Sequence, residues 1–108
     1  MNSEERHQSE LTVRKFLRDS IDRLQQSGKN FDEIRGFVVR FVDEQIHDLT
    51  IGHRALTVSL SKEDSEKIAA IKEVYDELCL ALKNCRDVSF AEIKYREEKN
   101  AQKETQPR

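Results

Sequence analysis

The stretch FDEIRGFVVRFVDEQIHDL, residues 31–49, decides the fold. Phe31, Ile34, Phe37, Val38, Phe41, Val42, Ile46 and Leu49 recur at intervals of three and four, which places them on one side of an α-helix. Asn30 followed by Glu33 has the form of a capping box, so the spacing predicts a helix from Phe31 to about Leu49. Its apolar face covers nearly half the circumference, which makes it the expected centre of the core. Burying each large side chain is worth about 1.5–3 kcal/mol before conformational entropy is subtracted.

Upstream, Val13, Phe16, Leu17, Ile21 and Leu24 share one face of a helix predicted from about Leu11 to Ser27, and Gly28 stands where a left-handed C-terminal cap belongs. Downstream, the period changes. Leu56, Val58 and Leu60 alternate with Thr57 and Ser59, which suits a short strand near 56–60; a lone strand leaves its hydrogen bonds unmet, so the segment either pairs with a copy of itself across a dimer or is an ordered loop packed on the helices. Ser61 with Asp64 marks the start of a long helix over about 62–86. Ile68, Ile71, Tyr75, Leu78, Leu82 and Cys85 repeat in that helix with a heptad rhythm. Ser89 and Glu92 then suggest a short fourth helix beginning at Phe90.

Composition agrees with this pattern. Three glycines, one proline and 37% charged residues in a chain of 108 disfavour turn-rich β-sandwiches, glycine-loop nucleotide folds and membrane spans. The fold class is therefore all-α: a small bundle of three to four helices with one long helix. Residues 1–96 read as a single domain and 97–108 as a disordered charged tail. A net charge of −2, balanced in both halves, gives no bulk attraction to nucleic acid, and the N-terminal residues have no secretory character, so the expected location is the cytoplasm.

Cys79 and Cys85 stand six residues apart on one helix, roughly 9 Å between Cα atoms and too far for an unstrained disulfide, so two reduced thiols are expected. On the second helix Asp43, Glu44 and His47, with His53 nearby, have a spacing that metal ligands can use; a solvated face with Arg40–Glu44 and Asp43–His47 ion pairs is the plainer reading. Neither a catalytic residue nor a cofactor or metal site is assigned. Arg14, Lys15 and Arg18 form the densest basic cluster and, with the outward-facing Leu80, are the candidate protein-binding residues. Ion pairs from Arg18 to Asp22 and Lys15 to Asp19 would make that cluster ordinary surface. The third helix is longer than a compact domain of this size needs, so Ile68, Ile71, Tyr75, Leu78 and Leu82 are expected to form the seam of a homodimer.

The fifteen residues from Arg54 to Ile68, RALTVSLSKEDSEKI, resemble the start of a ribbon-helix-helix DNA-binding protein. That resemblance implies a dimer whose paired strands turn Arg54, Thr57 and Ser59 toward DNA and Leu56, Val58 and Leu60 toward the core. It ends there, because the helix runs on to about Arg86 and no glycine follows. The favoured expectation is a small non-enzymatic interaction module, an adaptor, chaperone-like, inhibitor or immunity-type protein, that binds a partner protein through a helix face. The alternative is a dimeric DNA-binding regulator.

Overall fold

The computed structural model describes residues 3–105, which form three α-helices and no strand. Helix α1 spans Ser3–Gln26, α2 spans Phe31–Ser59 and α3 spans Ser65–Thr105. The chain is an all-α, up-down-up bundle with short connections, as the periodicity predicts. Among the described residues, no helix is long and apolar enough to cross a membrane.

The first turn is set locally. Gly28 adopts φ +88°, a left-handed conformation that costs an L side chain energy, and the Gly28 and Lys29 N–H groups donate to the carbonyls of Gln25 and Leu24. Asn30 then caps α2, its side-chain oxygen accepting from the Glu33 N–H at 2.8 Å. Glu33 itself turns to Lys29 at 3.7 Å. The second connection is closed by the Leu60 N–H donating to Thr57 and the Asp64 N–H donating to Ser61.

Three sequence expectations are corrected here. Residues 56–59 form neither strand nor loop: α2 continues past Leu49 to Ser59, and Leu60 is its extended C-cap. Leu49, Gly52, His53 and Leu56 keep the helical spacing, and a helix meets its backbone hydrogen bonds internally where a lone strand would not. Likewise α3 does not stop near Arg86 to restart at Phe90. No glycine or proline interrupts it, and the stripe of Leu82, Cys85, Ser89 and Ile93 carries it straight on, with Ser89 buried in mid-helix rather than capping an end. Residues 97–105, expected as a disordered tail, are helical; Gln106, Pro107 and Arg108 lie outside the described residues.

Cross-helix contacts fix the register. Arg6 pairs with Glu77, the Cys85 thiol donates to the Glu10 carbonyl, and Asp22 pairs with Arg96, so α1 runs parallel to α3. Tyr75 bonds Thr50 and Arg35 pairs with Glu97, so α2 runs antiparallel to α3. The core joins all three helices through Leu17, Ile21, Ile34, Val38, Cys85 and Ile93, with Phe31, Phe37, Phe41 and Phe90 packed around them. Phe16 meets Phe41 at a centroid distance of 4.9 Å, tying α1 to α2.

At roughly 1.5 Å per residue the 41 residues of α3 extend about 61 Å, against about 36 Å for the 24 residues of α1. The molecule measures 71 × 24 × 16 Å and its radius of gyration is 18.4 Å, where a compact chain of this length has about 13 Å. By the α1–α3 register, Ser3 stands level with about Leu78. Beyond that point, among the described residues, α2 and α3 alone remain side by side.

Arg96 shows what holds the other end. Its guanidinium donates to Glu92 at 2.8 Å, Asp22 at 2.7 Å and Gln25 at 3.0 Å. Burial works against its charge, but the two carboxylates outweigh that and hold its pKa above the usual arginine value. Arg96→Met should cost about 1 kcal/mol and lower Tm by roughly 4–8 °C at low salt, less at high salt. Gly28→Ala should cost a similar amount by forcing a side chain into a left-handed turn. Thermal melts of the two variants against the parent check both.

Candidate functional site

Where α1 ends, its seat continues. On α2 the sequence repeats Gln45, Leu49, Gly52 and Leu56, and on α3 Ile71, Val74 and Leu78, so the apolar stripes that hold α1 lower down persist beyond its N-terminal end. Together with Asp48, His53, Ala70 and Tyr75 they line an open apolar groove of about 530 Å³. Among the described residues, none from α1 lines it. A smaller cavity, lined by Ser9, Glu10 and Val13 of α1 and by Gln45, Leu49, Leu78 and Cys85, lies where the three helices meet.

Polar groups at the groove wall are largely committed. The His53 and Tyr75 rings stack with centroids 4.6 Å apart, and the Tyr75 hydroxyl lies 2.7 Å from Thr50 Oγ1. Because Thr50 gives its own proton to the Ile46 carbonyl, Tyr75 is the donor in that pair. His53 Nε2 is buried without a hydrogen-bond partner. Gly52 sits on the groove side of a long helix with nothing within 4 Å of the place a Cβ would occupy. A glycine inside a helix costs about 1 kcal/mol relative to alanine, and here no contact within the chain requires it.

The residues singled out by sequence do not assemble into one site. Arg14 turns inward to Glu10 at 3.3 Å, with its Nε buried and unpartnered, while Lys15 is exposed. Arg14 and Arg18 line a separate cavity of about 290 Å³ with Ile21, Val88, Ser89 and Glu92. The expected Arg18–Asp22 and Lys15–Asp19 pairs are absent among the described residues; Asp22 pairs with Arg96 instead. Leu80 is 58% exposed but does not line the groove.

The residues of the expected dimer seam are divided between the core and the groove. Leu82 is buried, Tyr75 packs on α2 and Ile68 is half-buried, while Ile71 and Leu78 line the groove. Arg54, Thr57 and Ser59, placed on a DNA-reading ribbon by the resemblance, are helical; Thr57 and Ser59 donate to the carbonyls of His53 and Leu56 on their own helix. Asp43, Glu44 and His47 are exposed on α2, and among the described residues the expected Arg40–Glu44 and Asp43–His47 pairs are absent. Among the described residues, no three His, Cys, Asp or Glu side chains are grouped to hold a metal ion. Gly52 was not singled out by sequence. The signal for Gly52, a glycine inside a continuing apolar stripe, was hidden by ending the helix at Leu49.

Both cysteines are free, Cys79 half-buried and Cys85 buried. Burial pushes the Cys85 thiol above its ordinary pKa, the nearby Glu10 carboxylate pushes it further, and Arg14 only partly opposes them. A thiol raised in the folded state favours folding below its unfolded pKa, and that contribution is lost as pH rises through the folded value. In the native protein a disulfide reagent should therefore modify Cys79 first and reach Cys85 only at the rate of unfolding. Peptide mapping after brief labelling at mildly alkaline pH checks this; equal labelling of both residues contradicts it.

No protein-family model matches the sequence, and neither a curated protein nor a solved structure shows significant similarity to the chain.

Proposed function

We propose that this chain is a non-enzymatic protein-interaction module that takes an amphipathic α-helix into the groove between α2 and α3. One observation carries the reading. No residue from 43 to 81 is buried among the described residues, although the segment holds Leu49, Leu56, Ile71, Val74 and Leu78 on the groove. The eight buried apolar residues all lie within 17–42 and 82–93, where α1 is present. A third helix is what converts these two stripes into a core, and in the distal half the chain supplies none among its described residues.

The chemistry of the lining suits a helix. The groove continues the seat of α1, so it already has the spacing of two helices that accept a third. Its floor is apolar, and the hydroxyls of Thr50 and Tyr75 are engaged within the chain. Helix-in-groove recognition reads anchors at i, i+3, i+4 and i+7, which match side chains set along a channel of this form.

A displayed library of amphipathic helical peptides of about five turns, selected against the protein, tests the reading. Enriched peptides should carry an apolar stripe and bind at least roughly tenfold more weakly to Gly52→Leu, a loss of about 1.4 kcal/mol. The substitution fills the groove with a side chain that meets no atom of the chain nearby and that favours helix. A library that yields no binder, or binders indifferent to Gly52→Leu, contradicts the proposal.

A further inference from the structure

We infer that the occupant of the groove is a second copy of this chain, docked antiparallel so that two α2–α3 arms close into a four-helix bundle. This rests on the groove being a helix-docking surface and names its partner.

The first argument is area. The chain exposes 8010 Å², whereas a folded monomer of 12.7 kDa exposes about 6,200 Å². The excess is roughly twice the 800 Å² or so that each partner buries in a standard interface. On the groove side of the arm, Leu56 is more than half exposed.

The second argument is shape. A two-fold interface presents the same patch twice, so the patch must contain both a projection and a hollow. Leu56 stands at the tip end of the groove as the projection, and the open space over Gly52 beside Ala70 is the hollow. The helix interior keeps a glycine at the one groove position where an approaching Leu56 of a partner would need room.

Charge selects the direction. Asp48 lines the groove at its base, and Lys67, one turn before Ile71 and Ala70 on α3, lies toward its tip. Among the described residues neither makes an ion pair, nor does Glu44, one turn before Asp48. In an antiparallel pair the tip of each arm meets the base of the other, so each Lys67 faces the acidic Asp48–Glu44 end. A parallel pair would set like charge against like.

Sedimentation equilibrium over a wide concentration range, on the full chain, tests the inference. The parent should be dimeric at about 100 µM, with an association that depends on concentration. Leu56→Asp should weaken it by roughly a hundredfold. Because Leu56 is half exposed in the single chain, circular dichroism should show the variant folded, and Gly52→Leu serves as the second groove variant. Leu80→Ser, outside the groove, should leave the association unchanged. Asp48→Lys and Lys67→Glu should each weaken the dimer roughly fivefold, and the double variant should restore it.

A parent that stays monomeric at that concentration overturns the second copy; the docking reading still stands if helical peptides bind and Gly52→Leu blocks them. A dimer indifferent to Leu56→Asp and Gly52→Leu also overturns it, and if peptide binding is equally indifferent the groove reading fails as well. Single reversals that weaken the dimer without rescue by the double variant overturn the antiparallel pairing.

Discussion

The structure depends on where α1 sits between α2 and α3. Leu17 and Ile21 enter from α1, Ile34 and Val38 from α2, and Cys85 and Ile93 from α3, and these six form one buried cluster. Each helix is amphipathic only in relation to the other two, so none has a buried face without them. The arrangement is economical for a chain this small. It also means that every turn of α2 or α3 lying beyond the reach of α1 leaves its apolar stripe open.

The ends of the bundle are treated differently. At the α1–α2 turn the helices are tied by long-range polar contacts: Arg96 joins Asp22 and Gln25, and Arg35 reaches Glu97 at 2.6 Å. Hydrogen bonding to Glu97 holds the Arg35 guanidinium firmly protonated, and Asp32 adds to this. These contacts dock α3 well past Ile93, which is why a segment with few apolar residues remains helical there. Toward the opposite end the contacts between α2 and α3 include the Tyr75–His53 stack, the Tyr75–Thr50 hydrogen bond and apolar surface, with the Arg6–Glu77 ion pair holding the start of α1. One end is closed by charge; at the other, beyond the start of α1, a hydrophobic floor is left open.

Individual residues show why part of the site escaped a reading of the sequence. The alternation of Leu56, Val58 and Leu60 is a genuine period of two, but Leu49, Gly52 and Leu56 are also a genuine three-four repeat; short apolar runs satisfy both templates. Choosing the first hid the upper half of α2, and with it the groove. The heptad from Ile68 to Cys85 was legible as a seam, but periodicity says only that a face is covered, not by which chain. Here α2 covers much of it and α1 covers the lower part, leaving Ile71, Val74 and Leu78 with a free side.

From sequence alone come the helical class, the core residues of α2, the Asn30 cap and the Gly28 turn, because each rests on contacts within a few residues along the chain. The parallel register of α1 against α3 and the point where α1 ends relative to the arm belong to the tertiary structure. So does the division of the Arg14–Lys15–Arg18 cluster between an inward ion pair, a cavity wall and open surface. They depend on side chains some seventy residues apart, as Glu10 from Cys85 and Asp22 from Arg96, whose meeting is set by packing three helices of unequal length and not by any local spacing.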